Sequence, residues 1–513
     1  MNAPASGKRA SGSRATAVVI GSGFGGLAAA VRLGARGYRV RVFEKLDAPG
    51  GRAYVFRQDG YTFDAGPTII TAPFLLEELW QLAGRRLEDD VTVVPMDPYY
   101  RIRFADGDHF DYSGDDEAMK REIARFNPAD VAGFERFLAA SAKLYDIGFD
   151  ELMAVSFDSF GSMFGSLPDL FRAQFYRSVH GLVSRYISHP KLRQVFSFHP
   201  LLVGGNPFTA TAVYALIAQL ERRHGVHFAM GGTGSLVDGM VDLIESLGGE
   251  IRYNAPVREI LVDGGRATGV RLRDGETVAA DVVVSNADSA ATYRYLLPEH
   301  VRPRRWTERK LSRARYSMSL FVWYFGTDRR YDDVPHHMIL LGPRYRELLD
   351  DIFRRQKLAD DFSLYLHRPT ATDPSLAPEG GDAFYVLSPV PHLDSGIDWS
   401  ETAERYRAAI AQSLSDTVLP DLEQHVVTSR MMTPEDFRDR LWSVKGAAFG
   451  LQPILLQTAW FRPHNRSEEV EGLYLVGAGT HPGAGLPGVI SSAKVLDEIV
   501  PDPQGGHKRK GTG

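Results

Sequence analysis

Ala17-Val18-Val19-Ile20-Gly21-Ser22-Gly23-Phe24-Gly25-Gly26 is the stretch that decides the fold. Its first four residues are a short apolar, mostly β-branched run of the kind found in buried parallel strands. The glycines then fit the pattern G-x-G-x-x-G at a turn from strand to helix. Gly21 allows the tight turn, Gly23 lets the backbone approach a pyrophosphate, and Gly26 permits close packing of helix on strand. The helix start adds free N–H groups and a positive dipole end, so the stretch predicts a dinucleotide-binding unit.

The residues that follow complete a βαβ unit. Residues 25–36 predict a helix of small residues, and Arg39-Val40-Arg41-Val42-Phe43 predicts a second strand. Glu44 stands at the end of that strand, where a carboxylate can accept hydrogen bonds from both hydroxyls of a ribose. The same carboxylate would repel a 2′-phosphate, which disfavours NADP.

Two further glycine-rich turns accompany this unit. Pro49-Gly50-Gly51-Arg52-Ala53 predicts backbone close to a cofactor with a cation beside it, although alone it equally fits a turn and a surface arginine. Near the other end, residues 473–480 predict a strand that runs into a glycine turn containing Gly477, Gly479 and Thr480. Pro487-Gly488-Val489 then lies at the start of another small-residue helix.

Composition narrows the chemistry. The 513-residue chain contains no cysteine, which excludes disulfides, thiolate metal sites and a thiol nucleophile, so redox chemistry must use an organic cofactor or a metal held only by histidines and carboxylates. A formal net charge of −5 argues against nucleic-acid binding. The sequence shows no uninterrupted apolar run of membrane-spanning length, and residues 16–31 parse better as strand, turn and helix than as a signal peptide.

We expect a discontinuous α/β architecture. A Rossmann-like cofactor-binding domain is predicted from residues 15–95, 225–295 and 459–501, and a mixed α+β substrate domain from 296–458. Within 225–295, strands are predicted at 250–254, 257–262, 268–272 and 281–285, because Asp-Gly turns separate short β-branched runs. Residues 96–224 are rich in aromatic residues and helical in period, which predicts a helical, membrane-facing part of the substrate region. Residues 1–14 and 502–513 are predicted to be disordered tails.

Five segments resemble bacterial-type phytoene desaturases, a carotenoid oxidoreductase family within the flavin amine-oxidase superfamily. The double-glycine turn and the C-terminal turn resemble the superfamily's motifs, and the resemblance covers about residues 16–497. The segments are FSFHPLLVGGNPF (196–208), FSLYLHRPTATDPSLAPEG (362–380), YVLSPVPHL (385–393), AWFRPHNR (459–466) and residues 474–494.

The resemblance implies that the cofactor is FAD and not NAD. It implies FAD contacts around the three glycine turns, through Glu44, through the backbone of Val257 at the adenine, and through Gly479 and its neighbours at the isoalloxazine. The full predicted set is Gly21, Ser22, Gly23, Phe24, Gly25, Gly26, Glu44, Gly50, Gly51, Arg52, Val257, Gly477, Gly479, Thr480, Pro487, Gly488 and Val489. No catalytic side chain is assigned, since the flavin accepts the hydride and relatives can carry an Arg-Asp pair where this chain has residues 160–163.

The implied activity is sequential dehydrogenation of phytoene towards lycopene or neurosporene. Alternatives are another carotenoid desaturase or isomerase of the family, or a non-catalytic lipid-binding carrier on the same scaffold. The reduced flavin would pass its electrons to oxygen or a membrane quinone. The sequence leaves open the number of steps, the acceptor and the oligomeric state.

A C40 hydrocarbon offers no hydrogen-bonding group, so an apolar tunnel is expected. Two aromatic sets are candidates for its lining, although ordinary core packing is the commoner role of such residues. Helical spacing between residues 164 and 186, with arginines between, predicts an amphipathic helix that contacts lipid or packs in the core. The expected location is therefore peripheral, on the cytoplasmic side of a membrane. No metal site is predicted, because His336-His337 and the His224/His227 pair lack a third ligand in the sequence. The candidate aromatic residues are Phe157, Phe160, Phe164, Phe171, Phe175, Tyr176, Phe196 and Phe198, and Phe321, Trp323, Tyr324 and Phe325.

Overall fold

The computed structural model describes residues 14–153, 155–156, 167–298, 300–301 and 304–503. In these residues the α-helices are α1 Phe24–Ala35, α2 Pro73–Leu82, α3 Leu87–Asp90, α4 Asp116–Phe126, α5 Asp130–Tyr145, α6 Leu167–Arg172, α7 Val179–Val183, α8 Pro190–Ser197, α9 Leu216–His224, α10 Thr233–Ser246, α11 Ser289–Ala291, α12 Glu308–Arg313, α13 Tyr345–Asp350, α14 Trp399–Ser415, α15 Leu422–His425, α16 Pro434–Asp439 and α17 Leu486–Ile499. The strands are β1 Thr16–Ile20, β2 Arg39–Phe43, β3 Val55–Gln58, β4 Tyr61–Asp64, β5 Val93–Pro95, β6 Tyr100–Arg103, β7 His109–Tyr112, β8 His227–Ala229, β9 Glu250–Arg252, β10 Val257–Asp263, β11 Arg266–Leu272, β12 Thr277–Ala279, β13 Val282–Ser285, β14 Ser319–Thr327, β15 His337–Leu340, β16 Leu364–His367, β17 Asp382–Val390, β18 Val426–Met432 and β19 Leu473–Leu475.

A parallel sheet of five strands brings distant parts of the chain together. Its strand order is β19-β13-β1-β2-β9, so β1 is central and the C-terminal strand β19 lies at one edge. Helix α1 is buried along residues 24–33 and packs against α10 and α17. The predicted βαβ unit and the Rossmann-like sheet are confirmed. The predicted domain limits stay a prediction.

A second sheet of seven strands carries the apolar core of the remaining chain. Its order is β18-β14-β17-β16-β15-β6-β7, and its strand pairs are antiparallel except β15 with β6. All nine residues of β14 are buried, as expected for a central strand covered on both faces. Phe321 faces Trp399 and Tyr406 of α14 on one side of this sheet.

Two sequence expectations for the region between 95 and 225 need correction. The chain there forms strands β6 and β7 as well as helices, because Tyr100–Arg103 and His109–Tyr112 alternate buried and less buried side chains around a turn at Gly107. The spacing from 164 to 186 does not form one helix. Helix α6 ends at Arg172, Gln174 has a φ of +60°, and α7 begins at Val179. Residues 157–166, including Phe157, Phe160, Phe164 and the 160–163 stretch, lie outside the described residues.

Within the described part of the chain, every helix is too short or too polar to cross a bilayer.

Candidate functional site

The glycine turns from the two ends of the chain meet in space. A Cβ placed on Gly25 would lie 2.8 Å from both the Cα and the N of Gly477. Asn286, just beyond β13, lies between the turns, and its side-chain amide would be 2.9 Å from a Cβ on Gly23. Only glycines allow this approach, so the two turns form one site at the carboxyl end of the parallel sheet.

The first turn has the local geometry that the glycine pattern predicts. Gly21 has a φ of +88°, which favours glycine, and a Cβ on Gly26 would overlap the carbonyl oxygen of Gly21. Helix α1 starts after Gly23 without a hydrogen bond from any described capping side chain. Its first N–H groups therefore remain suited to an anion, with the helix dipole adding to their effect.

Glu44 is held rigidly at the end of β2. Its exposed fraction is 4%, and one carboxylate oxygen accepts hydrogen bonds of 2.8 Å from both the backbone N–H and the hydroxyl of Ser22. The other oxygen accepts a bond of 2.9 Å from the N–H of Leu46. Each carboxylate oxygen can accept more than one hydrogen bond, so Glu44 can still accept from a ligand in the adjoining cavity.

The double glycine brings a buried cation to the same place. Gly50 and Gly51 have φ values of +108° and +59°, and the N–H of Gly50 donates to the carbonyl of Ser22 over 3.0 Å. Arg52 donates from Nη2 to Ser443 over 2.9 Å, while its buried Nε has no hydrogen-bond partner in the described residues. Burial lowers the pKa of Arg52, and Asp288 partly offsets this effect.

The C-terminal turn is fixed by buried hydrogen bonds. The N–H of Gly477, whose φ is +92°, donates to the Ser492 hydroxyl over 2.8 Å, and the hydroxyl of Thr480 donates to the Pro463 carbonyl over 2.6 Å. Gly479 packs against Ser289 so closely that a side chain would overlap it. Helix α17 then starts after Gly485 and points its N-terminus at the same site.

A cavity of about 460 Å³ runs from these turns into the chain interior. Most of the sequence-predicted residues line it, whereas Ser22, Gly26, Gly479 and Thr480 lie behind its wall, in packing or hydrogen-bonding positions. Contact of these residues with FAD stays a prediction. Those that line the cavity are Gly21, Gly23, Phe24, Gly25, Glu44, Gly50, Gly51, Arg52, Val257, Gly477, Pro487, Gly488 and Val489.

Beyond the turns the cavity wall is mainly apolar. It comes from the seven-stranded sheet, from helix α9 and from residues 198–203, where His199–Val203 forms a 3₁₀ helix. Of the described residues in the two predicted aromatic sets, only Phe198 lines this cavity; Phe196, Phe321, Trp323 and Phe325 are ordinary buried core, and Phe171 and Tyr176 are exposed. The apolar lining includes Phe198, Leu201, Leu202, Leu216, Ile217, Leu220, Leu320, Ile339, Leu341, Leu364, Leu387, Met432, Phe437 and Phe449.

A few buried polar groups interrupt this wall, and sequence reasoning missed them. Glu221 accepts a bond of 2.7 Å from the Tyr100 hydroxyl and lies 3.1 Å from Nε2 of His199. Thr68 lies 2.8 Å from the hydroxyl of Tyr385, and burial raises the pKa of Tyr385 well above its ordinary range. These contacts join residues far apart in the chain, so no local sequence pattern marks them.

The groups present fit a flavin dinucleotide. At two glycine turns and two helix N-termini the backbone is not covered by side chains, so a pyrophosphate and a ring system can approach its N–H groups. Glu44 can accept hydrogen bonds from a ribose. Two buried guanidinium groups have an Nε atom without a partner in the described residues: Arg52, which lines the cavity, and Arg462, which lies behind the wall and donates to the carbonyl of Ala478. Such cations are costly to bury unless an electron-rich group lies close.

Comparison with known proteins agrees with this site. Residues 24–495 match the family of flavin containing amine oxidoreductases. The cyclohexylamine oxidase of Brevibacterium oxydans IH-35A has the same fold, with a TM-score of 0.61 at 16% identity over 94% of this chain and 98% of that one. The chain belongs to the flavin containing amine oxidoreductase family, and it is an FAD-dependent oxidoreductase.

Sequence identity to two phytoene desaturases is much higher than identity to this amine oxidase. The chain is 49% identical to the neurosporene-forming phytoene desaturase of Rhodobacter capsulatus, covering 95% of this chain and 94% of the relative. It is 51% identical to the lycopene-forming phytoene desaturase of Pseudescherichia vulneris, covering 94% and 98%.

Proposed function

We propose that the protein is a phytoene desaturase, which removes hydrogen stepwise from phytoene to give neurosporene or lycopene. One observation carries the proposal: a single cavity joins the convergent glycine turns to an interior wall made mainly of apolar side chains. An enzyme for a charged amine would need polar groups to recognise it, whereas a hydrocarbon can be held only by apolar contact.

Binding energy must come from the area of the wall. Each methylene buried contributes about 0.8 kcal/mol, so a long polyene is held by many weak contacts along Leu216, Ile217, Leu220 and the sheet residues opposite. Such contacts let the polyene slide along the cavity between steps, which suits successive dehydrogenations of one substrate molecule.

The residues of the site divide the remaining work. Glu44 and the turns around Gly23 and Gly477 would hold FAD, which when bound accepts the hydride taken from the substrate. Arg52 and Arg462 provide positive charge in a medium of low dielectric, where it stabilises an electron-rich ring more strongly than in water. The apolar wall excludes water, and the buried side chain of Glu221 is placed to stabilise positive charge that develops on the hydrocarbon as hydride leaves. The second hydrogen would leave the neighbouring carbon as a proton, and oxygen or a membrane quinone would take up the electrons.

We further propose that the protein docks peripherally on a membrane, from which it takes its substrate. Exposed apolar side chains in described residues support this: Leu456 is 69% exposed, Phe171 57% and Tyr176 52%. Leu456 and Phe461 border a groove with the basic side chains of Arg309, Lys310 and Arg313.

The exposed segment of Phe171 and Tyr176 lies close to the exposed segment 453–461, and the second of these adjoins the wall of the cavity. Thr211 donates its N–H to Pro453 over 3.3 Å and its hydroxyl to the carbonyl of Phe175, so one loop lies between the two segments. Phe449, which lines the cavity, precedes the 453–461 segment by a few residues. A surface that combines apolar and basic groups suits anionic lipid, since basic residues near such a surface contribute about 1 kcal/mol each.

Liposome flotation tests the docking surface. We expect Leu456→Ser together with Phe171→Ser to lose most binding to anionic vesicles, because each change removes about 1.5–3 kcal/mol of potential apolar burial. Val427→Ser is the matched control, since Val427 is 53% exposed on strand β18. Equal flotation of all three proteins would contradict this surface.

The activity itself is tested by expressing the chain in cells that accumulate phytoene. Chromatography of the pigments should show neurosporene or lycopene, and the same trace identifies which product ends the sequence. Phytoene that persists unchanged beside a yellow, FAD-loaded protein would instead favour a carrier.

A further inference from the structure

Three buried histidines lie together in the seven-stranded sheet, apart from the glycine turns. His337 begins β15 and is paired in register with His367 at the end of β16, and His336 precedes them. Their exposed fractions are 6% for His336, 1% for His337 and 0% for His367. One ligand nitrogen from each ring lies within 4.8 Å of the other two. The third imidazole that the sequence did not reveal is therefore supplied by the strand pairing.

The two nitrogens of each ring have different surroundings. His336 Nδ1 is 2.6 Å from the Thr372 hydroxyl, His337 Nδ1 is 2.7 Å from the Tyr365 hydroxyl, and the Nδ1 atoms of His367 and His337 are 3.4 Å apart. All three Nε2 atoms are buried and have no hydrogen-bond partner in the described residues. A buried polar atom without a partner destabilises the fold, so three together call for an explanation. Imidazoles that bind metals show this division, with one nitrogen held by an outer hydrogen bond and the other free to bind the ion, and His336 and His337 have such outer partners in Thr372 and Tyr365.

The cation beside the cluster is paired with carboxylates. The nearby guanidinium of Arg368 is 2.9 Å from carboxylate oxygens of both Asp382 and Asp332, so its charge is already balanced.

We propose that His336, His337 and His367 form a structural site for a divalent transition metal of the zinc class. A purely nitrogen ligand set favours zinc and its neighbours in the first transition row over magnesium or calcium, which prefer oxygen. Zinc–nitrogen bonds of about 2.0–2.1 Å require ligand nitrogens roughly 3.3 Å apart, so the rings close in by a side-chain adjustment. The fourth position would be open to a water molecule.

The ion would stabilise the wall of the substrate cavity. Tyr365 lines that cavity and contacts His337, and Tyr385 lines it with its ring 4.8 Å from the ring of His367. A metal that holds β15 to β16 therefore fixes both phenols. This role is separate from hydride transfer and does not depend on which polyene is the product.

Metal analysis of the FAD-loaded protein tests the proposal. After expression with added zinc and dialysis against a weak chelator, mass spectrometry of the acid digest should give one zinc per wild-type chain. The proteins with His367→Gln or His337→Gln should contain none above buffer. His425→Gln is the matched control, because His425 lies on the surface beside Asp328 and should leave the zinc content at one. Flavin absorbance per chain reports folding of each protein.

A second measurement uses the wild type alone. Anomalous diffraction at the zinc edge should place one peak between the three rings, and zinc added after strong chelation should raise the melting temperature. A wild type that is fully loaded with FAD but free of metal would overturn the site. Zinc that remains in the His336→Gln/His337→Gln/His367→Gln protein would overturn it equally.

Discussion

Replacing Glu44 by glutamine tests the predicted ribose contact at the end of β2. The carboxylate accepts three hydrogen bonds, two from Ser22 and one from Leu46, at 2.8–2.9 Å. An amide can offer one oxygen, so its NH₂ group must face a backbone N–H on one side. We expect the protein without cofactor to lose about 1–2 kcal/mol of stability, because one partly buried N–H is left unsatisfied.

The loss of FAD affinity should be about as large as the loss of stability. Hydrogen bonds to a charged acceptor contribute about 1.5–3 kcal/mol and neutral ones about 0.5–1.5 kcal/mol. The difference of about 1–2 kcal/mol predicts that the Kd for FAD rises roughly 5–30-fold. Quenching of flavin fluorescence during titration of the apoprotein measures this change. FMN, which lacks the adenosine ribose, should bind Glu44→Gln and wild type equally.

Glu250→Gln is the matched control for this experiment. Glu250 lies in the neighbouring strand β9, is exposed, and pairs with Arg41 at the surface. This substitution should leave the free energy of FAD binding and the free energy of unfolding within about 1 kcal/mol of wild type. The reasoning would be refuted if Glu44→Gln bound FAD as tightly as this control, or if it weakened FMN as much as FAD.

Three other perturbations have defined outcomes. Gly26→Ala should lower the melting temperature sharply or prevent folding, because its Cβ would overlap the Gly21 carbonyl; a stable Gly26→Ala protein would contradict this packing. Burial raises the pKa of Asp64 to about 6 from an ordinary 3.8, so the folded state binds a proton at Asp64 more tightly than the unfolded state does. Ionisation of Asp64 therefore destabilises the folded state as the pH rises through 4–6. The free energy of unfolding of Asp64→Asn relative to wild type should therefore increase by roughly 2–3 kcal/mol between pH 4 and 7, and a flat difference would argue against the shift. Arg462 is 1% exposed and has no carboxylate within ion-pair distance in the described residues. Its positive charge should therefore raise the midpoint potential of bound FAD. Arg462→Met should lower that potential by roughly 20–60 mV, Arg462→Lys should change it less, and equal potentials would exclude the role.

Local sequence patterns predicted the parts of the fold that depend on local physics. The β-branched run before Gly21, the glycine spacing and Glu44 lie within one βαβ unit, so their geometry follows from short-range rules. The prediction that glycine turns from the two ends of the chain form one site came from the family resemblance. The structure confirms that Gly25 and Gly477 are in contact.

Long-range contacts were beyond the reach of those patterns. Asn286 follows an ordinary strand, and only the parallel register places its amide between two glycine turns. His367 lies 30 residues from His337, and only the antiparallel pairing makes them neighbours. The prediction of one amphipathic helix was wrong for a local reason. The apolar residues have helical spacing, but Gln174 takes a backbone conformation that ends α6.

Anaerobic mixing of the FAD-loaded protein with phytoene in liposomes tests the central claim most directly. The claim is that the cavity beside the joined glycine turns presents a hydrocarbon to the flavin. We predict that the long-wavelength flavin absorption falls in step with the appearance of a longer polyene. A flavin that stays oxidised in the presence of phytoene but is bleached by an amine would contradict it.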